Sequence, residues 1–289
     1  MRTLGLVLCG LLLAACTSVV NGTPASGGLT SAAALGDLRT IDYCTLLDTA
    51  GGEVLSSFEQ CTVKAGPLWV VGAIEGDDPY ERIPYDYPGD LPDGVRIHQQ
   101  EPENEYATCT RWVGFVDAVW LKAAVTDDRY PAPSTEEERC TAADELVAGA
   151  LAAITDKRVG HLSYGLDSFG GLDACTFLTG PDVEAVLEPG DDLTSWPAGH
   201  RRYRGGVGLE FGVVRPGAGR QEMLEDRPVA FRVDGPFCYV DLEVPLPDRP
   251  GLVQRARFSG NASESGQTAA ELCPIPWVVA EMVVPRLPQ

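Results

Sequence analysis

The sequence predicts an α+β protein of two homologous domains, each an antiparallel sheet flanked by an N-terminal and a C-terminal helix and stapled by disulfides. Three observations carry this expectation. The first is an internal repeat: Leu38-Arg39-Thr40-Ile41-Asp42-Tyr43-Cys44-Thr45-Leu46-Leu47 is echoed by Gly171-Leu172-Asp173-Ala174-Cys175-Thr176-Phe177-Leu178, and self-similarity of this kind marks a repeated structural unit. More loosely, Cys140-Thr141-Ala142-Ala143-Asp144-Glu145-Leu146-Val147 is echoed by Cys273 and Val278-Val279-Ala280-Glu281-Met282-Val283. The second is cysteine spacing: Cys44, Cys109 and Cys140 lie 65 and 31 residues apart, and Cys175, Cys238 and Cys273 lie 63 and 35 apart. The third is the order of patterns. Helix-like stretches bracket strand-like ones with no βαβ alternation, which favours layered α+β over a parallel sheet. The domains then span 37–158 and 166–289, joined by 159–165.

In the first domain a short helix is expected over 44–58, weakened by Gly51-Gly52. Strands follow at 61–64, 68–74, 95–99, 108–115 and 118–125, several alternating apolar with polar residues as half-buried strands do. Segment 75–94 is left as an excursion between strands. Ser134-Thr135-Glu136-Glu137 has the form of a capping box. Beyond it Cys140, Ala143, Val147, Ala150, Leu151 and Ile154 fall on one helical face. In the second domain 181–187 reads as a helix opened by proline, and strands are expected at 207–214, 229–233, 238–244 and 252–258. Pro274 and Pro276 fit only a first helical turn, so the last helix is expected to run from about 275 and stop before Pro285.

Composition narrows the function classes. The 289 residues carry 42 Asp+Glu against 22 Lys+Arg, a net charge of −20, and a phosphate backbone needs the opposite footprint. Nucleic acid is therefore excluded as a partner. The acidity is uneven: 24 Asp+Glu against 10 Lys+Arg over 37–158, but 18 against 11 over 159–289. No Gly-x-Ser-x-Gly, HExxH, Walker or Rossmann pattern occurs; of the three histidines, His98 and His161 have no titratable companions at telling spacings, and His200 opens the basic cluster His200-Arg201-Arg202-Tyr203-Arg204. The expectation is no enzyme, no cofactor and no metal, the cysteines lacking CxxC spacing; a hydrolase ranks third among the functions considered.

The first residues read as an address. Met1-Arg2-Thr3 is a short basic stretch, and the apolar run 4–13 is too short to span a bilayer. It ends Leu13-Ala14-Ala15-Cys16, which resembles the lipobox of bacterial lipoproteins. The resemblance implies that 1–15 is removed, that Cys16 is lipidated, and that the chain sits on the extracytoplasmic face of the cell membrane. Residues 16–36 lack charge from 17 on and are rich in Ser, Thr, Gly and Ala, the composition of a flexible tether.

An exported chain meets an oxidising compartment. Setting aside Cys9 and Cys16 leaves seven cysteines, an odd number. Local pairing gives Cys44–Cys61, Cys109–Cys140 and Cys238–Cys273 and leaves Cys175 over. The nested alternative is Cys44–Cys140 with Cys61–Cys109, and Cys175–Cys273 with Cys238 over. The local scheme is favoured, because short loops close most easily and each bridge pins a helix to the strand layer.

Two segments are candidate binding surfaces. Tyr80, Tyr85 and Tyr87 stand among prolines and carboxylates in 75–94, and rigid aromatics suit protein or glycan contact. Arg201, Arg202 and Arg204 form the basic cluster, suited either to an anionic headgroup or cell-wall phosphate or to pairing with the first domain's acids. The lipobox, the tether and the Asp42-Tyr43-Cys44-Thr45-Leu46-Leu47 opening together resemble actinobacterial cell-envelope lipoproteins whose domain of unknown function begins Asp-Pro-Cys-x-Leu-Leu, here as a tandem pair. The Cys109…Cys140-Thr-Ala-Ala arrangement is also similar to extracellular sensor domains of actinobacterial serine/threonine kinases, where a strand cysteine bonds a helix cysteine. These resemblances imply an envelope location and a non-catalytic binding or sensor role for a lipid or glycan ligand. The alternative is an accessory lipoprotein that docks another envelope protein through the Tyr/Pro/acid loop.

Overall fold

The structure, a computed structural model, describes residues 27–47, 52–65, 68–75, 82–100, 108–127, 129, 133–179, 181–187, 197–204, 206–261 and 273–289. The expected signal segment, Cys16 and Tyr80 lie outside the described residues. Helix and strand are mixed, helices are few, and the sheets are antiparallel.

Helix α1 (Ser31–Leu35) opens the described chain, its Thr30 hydroxyl accepting the Ala33 N–H. Leu35 is buried in the core, and the Ser31 hydroxyl and N–H both donate to Asp117. Residues 27–36, expected as tether, are thus part of the folded body. Strand β1 (Ile41–Asp42) pairs later with β9 (Gly160–His161), which straps the expected joint onto the chain's opening. Then come β2 (Glu53–Ser56), β3 (Gln60–Ala65), β4 (Leu68–Glu75), β5 (Arg82–Pro84), β6 (Arg96–Gln100), β7 (Thr108–Gly114) and β8 (Trp120–Asp127). They form a seven-stranded sheet in the order β2-β3-β4-β8-β7-β6-β5. Helix α2 (Glu136–Thr155) packs on β7 and β8.

The second half holds α3 (Ala174–Leu178), α4 (Pro181–Glu184), β10 (Arg201–Arg204), β11 (Val207–Val214), β12 (Arg220–Leu224), β13 (Arg227–Asp234), β14 (Phe237–Pro245), β15 (Val253–Asn261) and α5 (Pro274–Val283). Its six strands run β10-β11-β15-β14-β13-β12. Val279, Ala280 and Val283 of α5 are buried against β11, β14 and β15. Each half has its own apolar cluster: one gathers Ile41, Tyr43, Val113, Phe115, Val125 and Val147, the other Leu209, Phe211, Val240, Phe258 and Val279.

The disulfides are local: Cys44–Cys61, Cys109–Cys140 and Cys238–Cys273. Cys175, expected to be left over, is also disulfide-bonded.

The helix expected over 44–58 does not form. Its first residues make one 3-10 turn, Tyr43–Thr45, with the Asp42 carboxylate accepting the Cys44 N–H. The Cys44 and Cys61 Cα atoms lie 5.1 Å apart. A fifteen-residue helix would be about 22 Å long at about 1.5 Å per residue and would carry residue 58 too far away. After Gly51-Gly52 the chain instead returns as the hairpin β2–β3. The capping box is real but one residue along: Thr135 is the N-cap and Glu138 its partner, while the Ser134 hydroxyl donates to Asp127. Strands β1, β2, β5, β9, β10 and β12 have no counterpart in the sequence expectation. They are short or charged, and their side chains show no clean alternation. Helix α5 begins at Pro274, one residue before the expected start.

Candidate functional site

The site is built from the tip of the β2–β3 hairpin. Strand β11 pairs with β15 along its whole length, but β10 covers only Val207–Glu210 of its other edge. Beyond that point the edge amides need acceptors. The His200 carbonyl takes the Phe211 N–H at 2.8 Å. The Ser57 hydroxyl, from the first half, takes the Val213 N–H at 2.8 Å. Arg249 then donates to the Ser56 carbonyl at 2.9 Å, and Arg215 forms an ion pair with Glu53. A turn of one half thus completes a strand edge of the other.

Phe58 follows and leaves its own half altogether. It is 5 % exposed and belongs to the second half's apolar cluster. Its ring lies 5.5 Å from Tyr164, edge to face, and 5.5 Å from His200. His200 is wholly buried, its Nε2 2.7 Å from the Gly170 carbonyl. That contact makes Nε2 the protonated nitrogen, and burial holds the ring's pKa below its ordinary value.

Glu59 ends the tip. Its carboxylate lies 3.5 Å from Arg201, which also approaches Glu210 at 3.4 Å. Glu59 accepts from the His200 backbone, but Oε1 has no hydrogen-bond partner among the described residues. Two effects oppose each other. Arg201 favours the charged form but is shared between two carboxylates; burial disfavours it and wins, so Glu59 is pushed up to about 8.

Over this junction lies a groove of about 490 Å³, lined by the hairpin tip (Ser56, Ser57, Phe58), the joint (Leu162, Ser163, Tyr164, Gly165), Val213 and the loop between β14 and β15 (Pro245 to Arg249).

The residues expected to bind are placed elsewhere. Tyr85 donates its hydroxyl to Asp144 of α2 at 2.9 Å, and Arg111 stacks 4.0 Å over its ring while pairing with the same carboxylate at 2.8 Å. Tyr87 packs half-buried against the first core, where burial raises its phenol. Tyr85 therefore braces the sheet against its helix, and Tyr87 is part of the packing around the first core. The basic cluster is the edge strand β10. Arg201 turns to Glu59 and Glu210, and Arg204 to Glu184 at 2.8 Å and the Leu178 carbonyl at 3.0 Å. Arg202 is engaged as well. The anion site expected from the sequence is not assembled; Arg201 instead makes the alternative contact with the first half's acids.

The remaining histidines have partners without nucleophile character. His98 Nδ1 faces the Arg82 carbonyl at 3.2 Å. His161 Nδ1 lies 2.9 Å from the Thr40 hydroxyl, which donates to the Asp37 carbonyl; the imidazole is therefore the donor, the reverse of what a general base needs. Among the described residues no group of three or more His, Cys, Asp or Glu is placed to hold a metal ion, and no helix is long and apolar enough to cross a membrane.

Ser57 and Phe58 were missed as site residues because they fell inside the expected helix, and Glu59 because it stands between that helix and the expected strand 61–64. The signal was there: two serines followed by an aromatic, after a glycine pair, is turn chemistry. No protein-family model, curated protein or solved structure matches the chain.

Proposed function

We propose that the protein is a non-catalytic binding or sensor module of the cell envelope, held on the outer face of the membrane through acyl chains on Cys16. One observation carries the reading: the groove exists only where two halves meet, and it is lined by both. Ligand sites favour such junctions, and a ligand that touches both halves can report its presence through their docking.

Its two halves are read as homologous domains, each a sheet between a short opening helical turn and a closing helix. The matching local chemistry supports this. Asp42 accepts the Cys44 N–H at 3.1 Å and its carbonyl accepts the Thr45 hydroxyl at 2.7 Å. Asp173 does the same with Cys175 at 2.9 Å and Thr176 at 2.8 Å. In each half a disulfide joins a strand to the closing helix, Cys109 in β7 to Cys140 in α2 and Cys238 in β14 to Cys273 at the N-cap of α5.

Native mass spectrometry of protein extracted from envelopes tests the binding role. A discrete adduct is expected, absent after Ser163→Trp fills the groove; an adduct-free spectrum refutes it. Cys16→Ala should move the protein out of the membrane fraction, since stable anchoring requires the acyl chains.

A further inference from the structure

We infer that this groove takes a neutral, hydroxyl-rich ligand, a saccharide segment, gripped by both halves at once. The inference rests on the groove being the binding site and adds the class of ligand. Charge decides against an anion. Asp167 and Asp248 stand exposed at the groove, and its cation Arg249 is tied to the Ser56 carbonyl at 2.9 Å. With a net charge of −20 on the chain, an anionic headgroup meets repulsion at long range, and at contact it faces two exposed carboxylates against one guanidinium.

Polarity decides against a lipid chain. An acyl tail needs unbroken apolar surface, whereas serines and carboxylates interrupt this lining. A cation gains little from the two acids, because exposed ion pairs contribute only about 0–1 kcal/mol. Hydroxyl groups fit what remains. The Ser57 oxygen already accepts from Val213, so its proton is left to donate. The carboxylates of Asp167 and Asp248 accept from sugar hydroxyls. Pro245, Leu246 and Pro247 supply accessible apolar surface for the C–H faces of a pyranose ring. The volume of about 490 Å³ lies within the range of about 300–1,000 Å³ usual for small-ligand sites.

Saturation-transfer NMR on the full chain tests this with four neutral trisaccharides (maltotriose, cellotriose, mannotriose and triacetylchitotriose), against tetralysine and inositol hexakisphosphate. Transfer to at least one trisaccharide is expected, with none to the hexakisphosphate. Ser163→Trp, a substitution at an exposed lining residue, should abolish that transfer, and Asp167→Asn with Asp248→Asn should weaken binding about tenfold, the loss of about one charge-assisted hydrogen bond. Transfer from tetralysine or hexakisphosphate alone, sensitive to Ser163→Trp, would overturn the saccharide class and leave the groove a binding site. No transfer sensitive to Ser163→Trp with any probe overturns both.

Discussion

Glu59→Gln is the sharpest perturbation of the junction. The change keeps the shape of the side chain and its ability to accept from His200, and removes only the titration. In the folded protein Glu59 is raised from 4.5 to about 8 by burial. The folded state therefore keeps a proton that the unfolded chain has released, and stability falls as pH rises between those values. Each unit of pH in that window costs about 1.4 kcal/mol. From pH 5 to pH 8 the wild type should lose on the order of 4 kcal/mol that the Gln variant does not lose. At roughly 2–4 °C per kcal/mol for chains of comparable size, the midpoint of the variant should gain on the wild type by roughly 10 °C across that range. Differential scanning calorimetry of both proteins at several pH values reads this directly, because every other titrating group cancels in the difference. Parallel curves would sink the argument. So would a variant less stable at every pH, which would mean that Glu59 is ionised throughout and that Gln strands Arg201.

Three further outcomes follow from named contacts. Asp144→Ala leaves the Arg111 guanidinium, only 6 % exposed, without its carboxylate and should cost about 3–5 kcal/mol in urea unfolding, whereas Tyr85→Phe should cost about 1 kcal/mol. Replacing Cys109 and Cys140 together by Ser opens a bridge across 31 residues and should lower unfolding free energy by about 2–4 kcal/mol; an unchanged urea midpoint would mean the helix is held without it. Ser57→Ala removes the acceptor of the Val213 N–H, so amide exchange at Val213 should speed up, with a stability loss of about 1–3 kcal/mol for the unsatisfied donor.

Much of the framework was legible because it rests on period and on punctuation. The helix α2 face, the long strands β4, β7, β8, β11 and β14, and the local disulfides follow from spacing within one segment. What was not legible depends on contacts across the chain. Ser57 and Val213 lie 156 residues apart, and no local pattern says that a hydroxyl in one hairpin will finish a strand edge in another half. Strand β10 is a run of arginines and a tyrosine, which looks like a ligand patch until Glu59 and Glu184 arrive beside it. Tyr85 was read as a contact surface for the same reason: its partners, Arg111 and Asp144, are 26 and 59 residues away.

The uneven acidity takes on a different meaning once these contacts are in place. A domain with 24 carboxylates and 10 cations over 37–158 suggests a surface waiting for a basic partner. Several of those carboxylates have internal work. Asp117 holds the start of α1, Asp127 takes Ser134 and Arg129 before α2, Glu138 closes the cap, and Asp144 anchors Arg111 and Tyr85. Glu59 is buried at the junction with a carboxyl that burial keeps protonated to near neutral pH. An acidic chain with many donors to satisfy spends acid where a neutral chain would spend hydroxyls and amides, since a carboxylate accepts more hydrogen bonds per residue. Under the saccharide proposal the excess charge keeps anions away from the groove, and selectivity falls to hydroxyl and ring contacts from the two halves, the Asp167 and Asp248 carboxylates among them.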